Sequence, residues 1–118
     1  MGDLRSIMTE FTTVEGIQAA LIVGRDGFVI EAVTGRGTVD TDAVAAVISS
    51  GIGSSEVIGR ELNIGKLDQA MYEYRDGMLI TSLLGPEAIL AIVADGRSNL
   101  GNIRYQAKKR LDALMGAL

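Results

Sequence analysis

The chain has 118 residues, of which 47% are hydrophobic and 22% are charged, the size and balance of a single globular domain over 1–118. Its net charge of -4 argues against a general nucleic-acid binder, because such proteins use a basic surface to neutralise phosphates. The chain has no cysteine and no histidine, which excludes disulfides, thiolate metal sites and histidine-based catalysis and fits a cytoplasmic protein.

An amphipathic helix and a β-hairpin are predicted at the start of the chain. Strands are expected over 17–24 and 28–33, joined by an Arg-Asp-Gly turn at 25–27. The first strand is apolar on both faces, so we expect both faces to be covered. The helix is predicted over 3–14 from a stripe of Leu4, Ile7, Met8, Phe11 and Val14. Alternation along the first strand places Ile17, Ala19, Leu21 and Val23 on one face, and Ala20 and Ile22 on the other.

A long helix follows a glycine-containing loop at 34–40. Asp40 or Thr41 is expected to cap its start, because short polar side chains accept hydrogen bonds from the first turn. The helix is predicted to run to about Leu62, where Asn63 and Gly65 tolerate the left-handed backbone that ends helices.

Three further strands and a last helix complete the predicted fold. The strands are expected over 66–74, 78–84 and 88–94, and Ser98 or Asn99 is expected to cap the helix. Short turns make consecutive strands antiparallel neighbours. The predicted fold is α/β (α+β) in the order α-β-β-α-β-β-β-α, a five-stranded antiparallel sheet with helices on both faces. The apolar run 88–94 falls far short of the roughly 18 residues that a membrane-spanning helix needs, so no membrane insertion is expected.

No motif in the chain predicts an enzyme, a metal site or a cofactor. The segment 59–66 reads G-R-E-L-N-I-G-K, but a phosphate-binding loop has four residues between its glycines and Ser or Thr after the lysine. Here five residues separate the glycines and Leu67 follows the lysine. Asp40 and Asp42 lie at a predicted helix start, where acids are expected for structural reasons. We therefore expect no catalytic residues.

The segment 97–118 has five basic residues and one acid, Asp112. Two interpretations remain open. Cations near the end of the last helix stabilise its dipole, or they form a basic docking face for an acidic partner.

The middle helix has two apolar sides. Val44, Ile48, Ile52, Ile58 and Leu62 are predicted to pack on the sheet. The opposite ridge, which we call the outer ridge, lacks the Glu and Lys of an ordinary exposed helix surface. It consists of Ala46, Ser50, Gly53 and Val57. Gly53 costs about 1 kcal/mol relative to Ala inside a helix. Small residues allow close approach of another chain, so this ridge is predicted to bind a partner.

The third strand is predicted to lie at an unprotected edge of the sheet. It contains no proline, and natural proteins protect such an edge or use it for pairing. We predict pairing with the same strand of a second copy. The predicted dimer interface consists of Leu67, Gln69, Met71, Tyr72, Glu73 and Tyr74.

The whole chain resembles the Roadblock/dynein light chain family. The likeness rests on the element order and on two hairpins, G-I-Q-A-A-L-I-V-G-R-D-G-F-V-I at 16–30 and A-M-Y-E-Y-R-D-G-M-L-I at 70–80. The resemblance implies a homodimer with a continuous ten-stranded sheet, in which third strands meet and middle helices lie side by side. It also implies association with Ras-like small GTPases, through the outer ridge or with that ridge pairing the two helices. The prokaryotic regulators of the gliding-motility type, which the chain resembles, stimulate a GTPase by reshaping its active site, without inserting an arginine.

Two other functions remain open at this point. One is a structural adaptor, such as a motor light chain, without effect on GTP hydrolysis. The other is a small-molecule sensor, for which the sequence offers no convergent cluster of polar residues.

Overall fold

A computed structural model of the chain describes residues 3–35 and 39–118. It has the predicted order of three helices and five strands. The elements are α1 (Leu4–Glu10, continued by a 3-10 turn at Phe11–Thr13), β1 (Ile17–Gly24), β2 (Val29–Thr34), α2 (Thr41–Glu61), β3 (Gln69–Tyr74), β4 (Gly77–Leu84), β5 (Ala88–Asp95) and α3 (Leu100–Ala117). Residues 36–38 of the predicted loop lie outside the described residues.

The strands form one antiparallel sheet in the order β2-β1-β5-β4-β3, so β1 and β5 lie inside the sheet. Helices α1 and α3 cover one face and α2 covers the other. Strands β1 and β5 are buried on both faces, which confirms the prediction made from the apolar pattern of β1. Asp40 caps α2 and Asn99 caps α3, each accepting a hydrogen bond from a backbone N–H in the first turn.

Two details of the predicted strands are wrong. Ile17 packs on the α1–α3 face instead of sharing a face with Ala19, because the register of β1 against β5 shifts between these two residues. A bulge of this kind shifts the alternation of side chains by one residue. The third strand begins at Gln69 instead of residue 66, although the Asp68 carbonyl still accepts a hydrogen bond from the Leu83 N–H at 3.0 Å.

The sheet-facing side of α2 is shorter than predicted. Ile48 and Ile52 are buried against the sheet, whereas Ile58 and Leu62 are exposed. The reason is the position of the helix, which packs on β1 and β2. The α2 face of β3 and β4 is therefore only partly covered, and Ala70, Tyr72, Leu79 and Leu83 are half-buried there.

Candidate interaction surface

The backbone of β3 has a free edge. Strand β3 pairs with β4 on one side, and the described residues place no strand on its other side. In an antiparallel pair, successive residues point their N–H and C=O groups alternately toward the partner strand and away from it. Asp68 bonds toward β4, so Gln69, Met71 and Glu73 point these groups away from the sheet. This edge offers three N–H donors and three C=O acceptors to another strand.

The side chains predicted at the dimer interface divide between the two faces of the sheet. Tyr72 faces α2, where its Oη lies 3.5 Å from Ser55 Oγ, and Tyr74 follows on the same face with 64% of its surface exposed. Met71 lies on the opposite face and is 48% exposed. The remaining members are Leu67, half-buried in the segment before β3, Gln69, which donates to Ser82 Oγ, and Glu73, which is exposed.

The outer ridge of α2 lies open to solvent. Ala46, Ser50 and Val57 are exposed, and beyond the adjoining backbone of α2 no atom of a described residue comes within 4 Å of the position that a Cβ would take at Gly53. The ridge is thus uncharged and mostly exposed in the single chain, and its role in binding a partner stays a prediction.

A second exposed surface of α2, which the sequence analysis missed, faces β3. We call it the β3-side flank, and it consists of Val47, Gly51, Ser54 and Ile58. A Cβ at Gly51 would lie 3.7 Å from Tyr72 Oη, which places this side of the helix next to β3. Val47 is 72% exposed and Ile58 is 58% exposed. The spacing of i, i+4, i+7 and i+11 is the signal that could have revealed it.

An ion pair fixes the other side of α2 to the turn between β1 and β2. Arg25 makes a bidentate pair with Glu56, in which Nη2 lies 2.7 Å from Oε2. Ser49 Oγ donates to the Arg25 carbonyl at 2.7 Å. The guanidinium beside it lowers the pKa of Glu56, and hydrogen bonding to that carboxylate raises the pKa of Arg25. The Arg25 side chain is therefore engaged in the contact with α2.

An open cleft of about 1180 Å³ lies beneath the end of α2. Its charged lining includes the Arg25–Glu56 pair, whose charges already compensate each other, together with Arg60, Lys66 and Asp68.

The described residues contain no group of acidic side chains that could hold a metal ion. Nor does any helix within 3–35 and 39–118 have the length and apolar character to cross a membrane.

Known proteins share both the sequence and the fold of this chain. A model of the Roadblock/LC7 domain matches residues 5–94. An uncharacterised protein of Methanocaldococcus jannaschii is 34% identical over 108 residues, which are 92% of this chain and 93% of that protein.

Two solved structures share the fold at low sequence identity. MglB of Myxococcus xanthus superimposes with a TM-score of 0.84 at 17% identity, covering 96% of this chain and 92% of the other. A Roadblock/LC7 domain from Streptomyces avermitilis gives 0.85 at 21% identity, covering 96% and 95%. These likenesses establish a common architecture.

Proposed function

The chain belongs to the Roadblock/LC7 family, and we propose that it is a homodimeric protein-interaction module that binds and regulates a small Ras-like GTPase. The observation that carries the proposal is the continuity of two unpartnered surfaces, the free edge of β3 and the β3-side flank of α2. Together they offer backbone hydrogen bonds and apolar contact area to one and the same neighbour.

The dimer forms by antiparallel pairing of β3 with β3 of a second copy. Met71 is the middle one of the three residues that point outward, so a two-fold axis beside it lets all three pair. Gln69 of each copy then lies opposite Glu73 of the other, and no like charges face each other. The β3-side flanks approach across the same axis, where Gly51 and Ser54 allow the two helices to come close.

The outer ridge remains free in such a dimer and binds the GTPase. The outer ridge is on the exposed side of α2, whereas pairing through β3 involves the β3-side flank. In this proposal the chain contributes binding and not a catalytic group, as the family resemblance implies, and Arg25 is already engaged by Glu56. Any effect on hydrolysis comes from a change in the GTPase's own active site, as the family resemblance implies.

Gly53→Arg separates partner binding from folding. The open space at Gly53 accommodates the new side chain, and removal of a helical glycine raises the free energy of unfolding by up to about 1 kcal/mol. We expect affinity for the Ras-like GTPase of the source organism, loaded with a non-hydrolysable GTP analogue and measured by calorimetry, to fall at least about tenfold.

Gly116→Arg is the matched control, since a Cβ at Gly116 also has no atom within 4 Å. This variant should bind the GTPase as the wild type does. Equal affinity of the Gly53 variant and the wild type would contradict the assignment of the outer ridge.

A structural adaptor without effect on GTP hydrolysis is the second candidate. The observation that favours it is that the free edge of β3 and the exposed outer ridge offer contact surfaces that scaffolding alone would also use. Hydrolysis by the GTPase, followed with and without this protein, distinguishes the two, because an adaptor leaves the rate unchanged while it binds.

A further inference from the structure

The exposed side of α3 carries cations that form no ion pair with any described residue. Among the described residues, Arg110 pairs with Glu10 and Arg97 pairs with Asp95. Arg104, Lys108 and Lys109 have no carboxylate from the described part of the chain within 4.0 Å. Because the whole chain has a net charge of -4, the rest of the molecule is strongly acidic.

The helix dipole does not account for these cations. The dipole stabilises positive charge within the last turn of a helix and weakens beyond it. The last turn of α3 contains no basic residue, and Lys108 and Lys109 lie near the middle of the helix. The simpler of the two interpretations of the basic segment is therefore wrong.

Apolar side chains accompany the cations on the same exposed side. Tyr105 is 61% exposed and its ring lies 6.0 Å from Lys109 Nζ, while Met115 is 47% exposed. The buried side of α3 consists of Ile103, Ala107 and Leu114. The surface opposite it, which we call the α3 basic face, consists of Arg104, Tyr105, Lys108, Lys109 and Met115, with Asp112 as its one acid.

We propose that the α3 basic face docks an acidic amphipathic helix of another protein. Arg104 and Lys108 form one i, i+4 ridge and Tyr105 and Lys109 form the next, and a helix packs by placing its own ridge between two such rows. Carboxylates on the flanks of the incoming helix would meet the cations, and its apolar stripe would cover Tyr105 and Met115.

Charge complementarity favours a short acidic segment over a membrane or a nucleic acid. Recognition of an anionic bilayer typically requires about four to eight clustered cations, and the α3 basic face provides three. An extended anionic surface would also face the acidic remainder of the chain, whereas a single helix contacts α3 alone. This surface is separate from β3 and from the outer ridge, so it leaves the dimer and the GTPase site free.

Fluorescence anisotropy with a labelled synthetic peptide tests the proposal on the full chain. The probe is an amphipathic peptide of about 20 residues with a Leu stripe flanked by Glu, long enough to form a helix. Its control peptide has Lys in place of Glu. We expect the Glu peptide to bind in a salt-sensitive manner and the Lys peptide not to bind.

Matched charge reversals locate the binding site. Arg104→Glu with Lys108→Glu should weaken binding of the Glu peptide at least about tenfold. Lys66→Glu with Arg75→Glu, which changes the net charge equally at exposed positions outside α3, should change it less than about twofold. Circular dichroism verifies that both variants fold.

Four outcomes would overturn the proposal. They are the absence of binding by the Glu peptide, an equal loss in both charge-reversed variants, and preferential binding to phosphatidylserine vesicles that depends on Arg104 and Lys108. The fourth is a decrease in oligomer size in the α3 variant, which would mean that a second copy of this chain occupies the face. GTPase binding, measured separately, is expected to be the same in all variants.

Discussion

The two edge strands of the sheet, β2 and β3, differ in whether side chains bind their outward backbone N–H and C=O groups. At β2, Arg5 donates to the Ala32 carbonyl at 3.3 Å, and Glu31 Oε1 accepts from the Ala32 N–H at 3.1 Å. An extra residue at Ile30 bulges the strand as well. At β3 the ladder runs without a bulge from Gln69 to Tyr74, and no side chain within 3–35 and 39–118 hydrogen-bonds to the outward groups.

The helix above the sheet shows the same contrast. On the β2 side, Arg25, Ser49 and Glu56 tie α2 to the hairpin, and on the β3 side α2 presents the exposed β3-side flank. Natural proteins block the sheet edges that must not pair with another chain. The β2 half of the molecule is therefore closed by contacts within the chain, and the open β3 half is the one that we propose to pair with a second polypeptide. Substitutions in the first half should change folding, and substitutions in the second half should change association.

Proline at the centre of each edge gives the largest expected contrast. Met71→Pro removes an outward N–H without removing a bond to β4, and it should weaken self-association about 100-fold, because two symmetry-related bonds and the close fit of the strands are lost. Ala32→Pro should leave self-association unchanged. Sedimentation velocity over a concentration series measures both, and equal behaviour of the two variants would contradict a difference between the two edges.

Glu56→Ala tests the contacts that hold α2 on the β2 side of the molecule. It leaves the Arg25 guanidinium without its carboxylate partner, and the free energy of unfolding should fall by about 2 kcal/mol. Glu61→Ala, at an exposed position on the same helix, should change it by less than about 0.5 kcal/mol. Urea unfolding of both variants at neutral pH provides the measurement. An equal effect of the two substitutions would contradict a stabilising role of the Arg25–Glu56 pair.

The Glu56 effect has a defined pH dependence. The folded-state pKa of Glu56 is lowered from its ordinary value of 4.5, so its contribution is complete above that value and is lost as the pH falls through the folded-state pKa. The gap between wild type and Glu56→Ala should close in acid and remain constant toward pH 8. A gap that widened as the pH fell would contradict the ion pair.

Ile58→Ala gives a smaller effect, restricted to association. The side chain is 58% exposed in the single chain, so its truncation should leave the unfolding free energy nearly unchanged. Self-association should weaken about tenfold, because the apolar surface is buried when two flanks meet. Val57→Ala, on the outer ridge, should leave self-association intact. The opposite pair of results would contradict the assignment, because it would place self-association at the outer ridge instead of the β3-side flank.

Arg5→Ala is expected to have the smallest effect. Arg5 is 65% exposed in its pair with Glu31, so the loss in unfolding free energy should not exceed about 0.5 kcal/mol. Self-association should stay unchanged, because the bulge at Ile30 still interrupts the edge. Growth of larger assemblies in this variant would show that Arg5 alone keeps β2 unpaired.

Local signals in the sequence predicted most of the fold. The apolar run of β1, the Arg-Asp-Gly turns and the capping residues Asp40 and Asn99 depend on chemistry within a few residues, and the structure confirms them. The face of Ile17 could not be predicted, because a bulge arises from the register between distant strands. Ile58 and Leu62 were misplaced for a related reason. Helical periodicity identifies residues that share a side, but not which strands lie beneath that side.

Hydrogen exchange at the outward amides of β3 tests the need for a second polypeptide most directly. The amides of Gln69, Met71 and Glu73 have no partner among the described residues of one chain, while those of Ala70 and Tyr72 point toward β4. We predict that all five exchange slowly at high protein concentration, and that the outward three lose protection upon dilution. Rapid exchange of the outward three at every concentration, with Ala70 and Tyr72 protected, would contradict pairing through this edge.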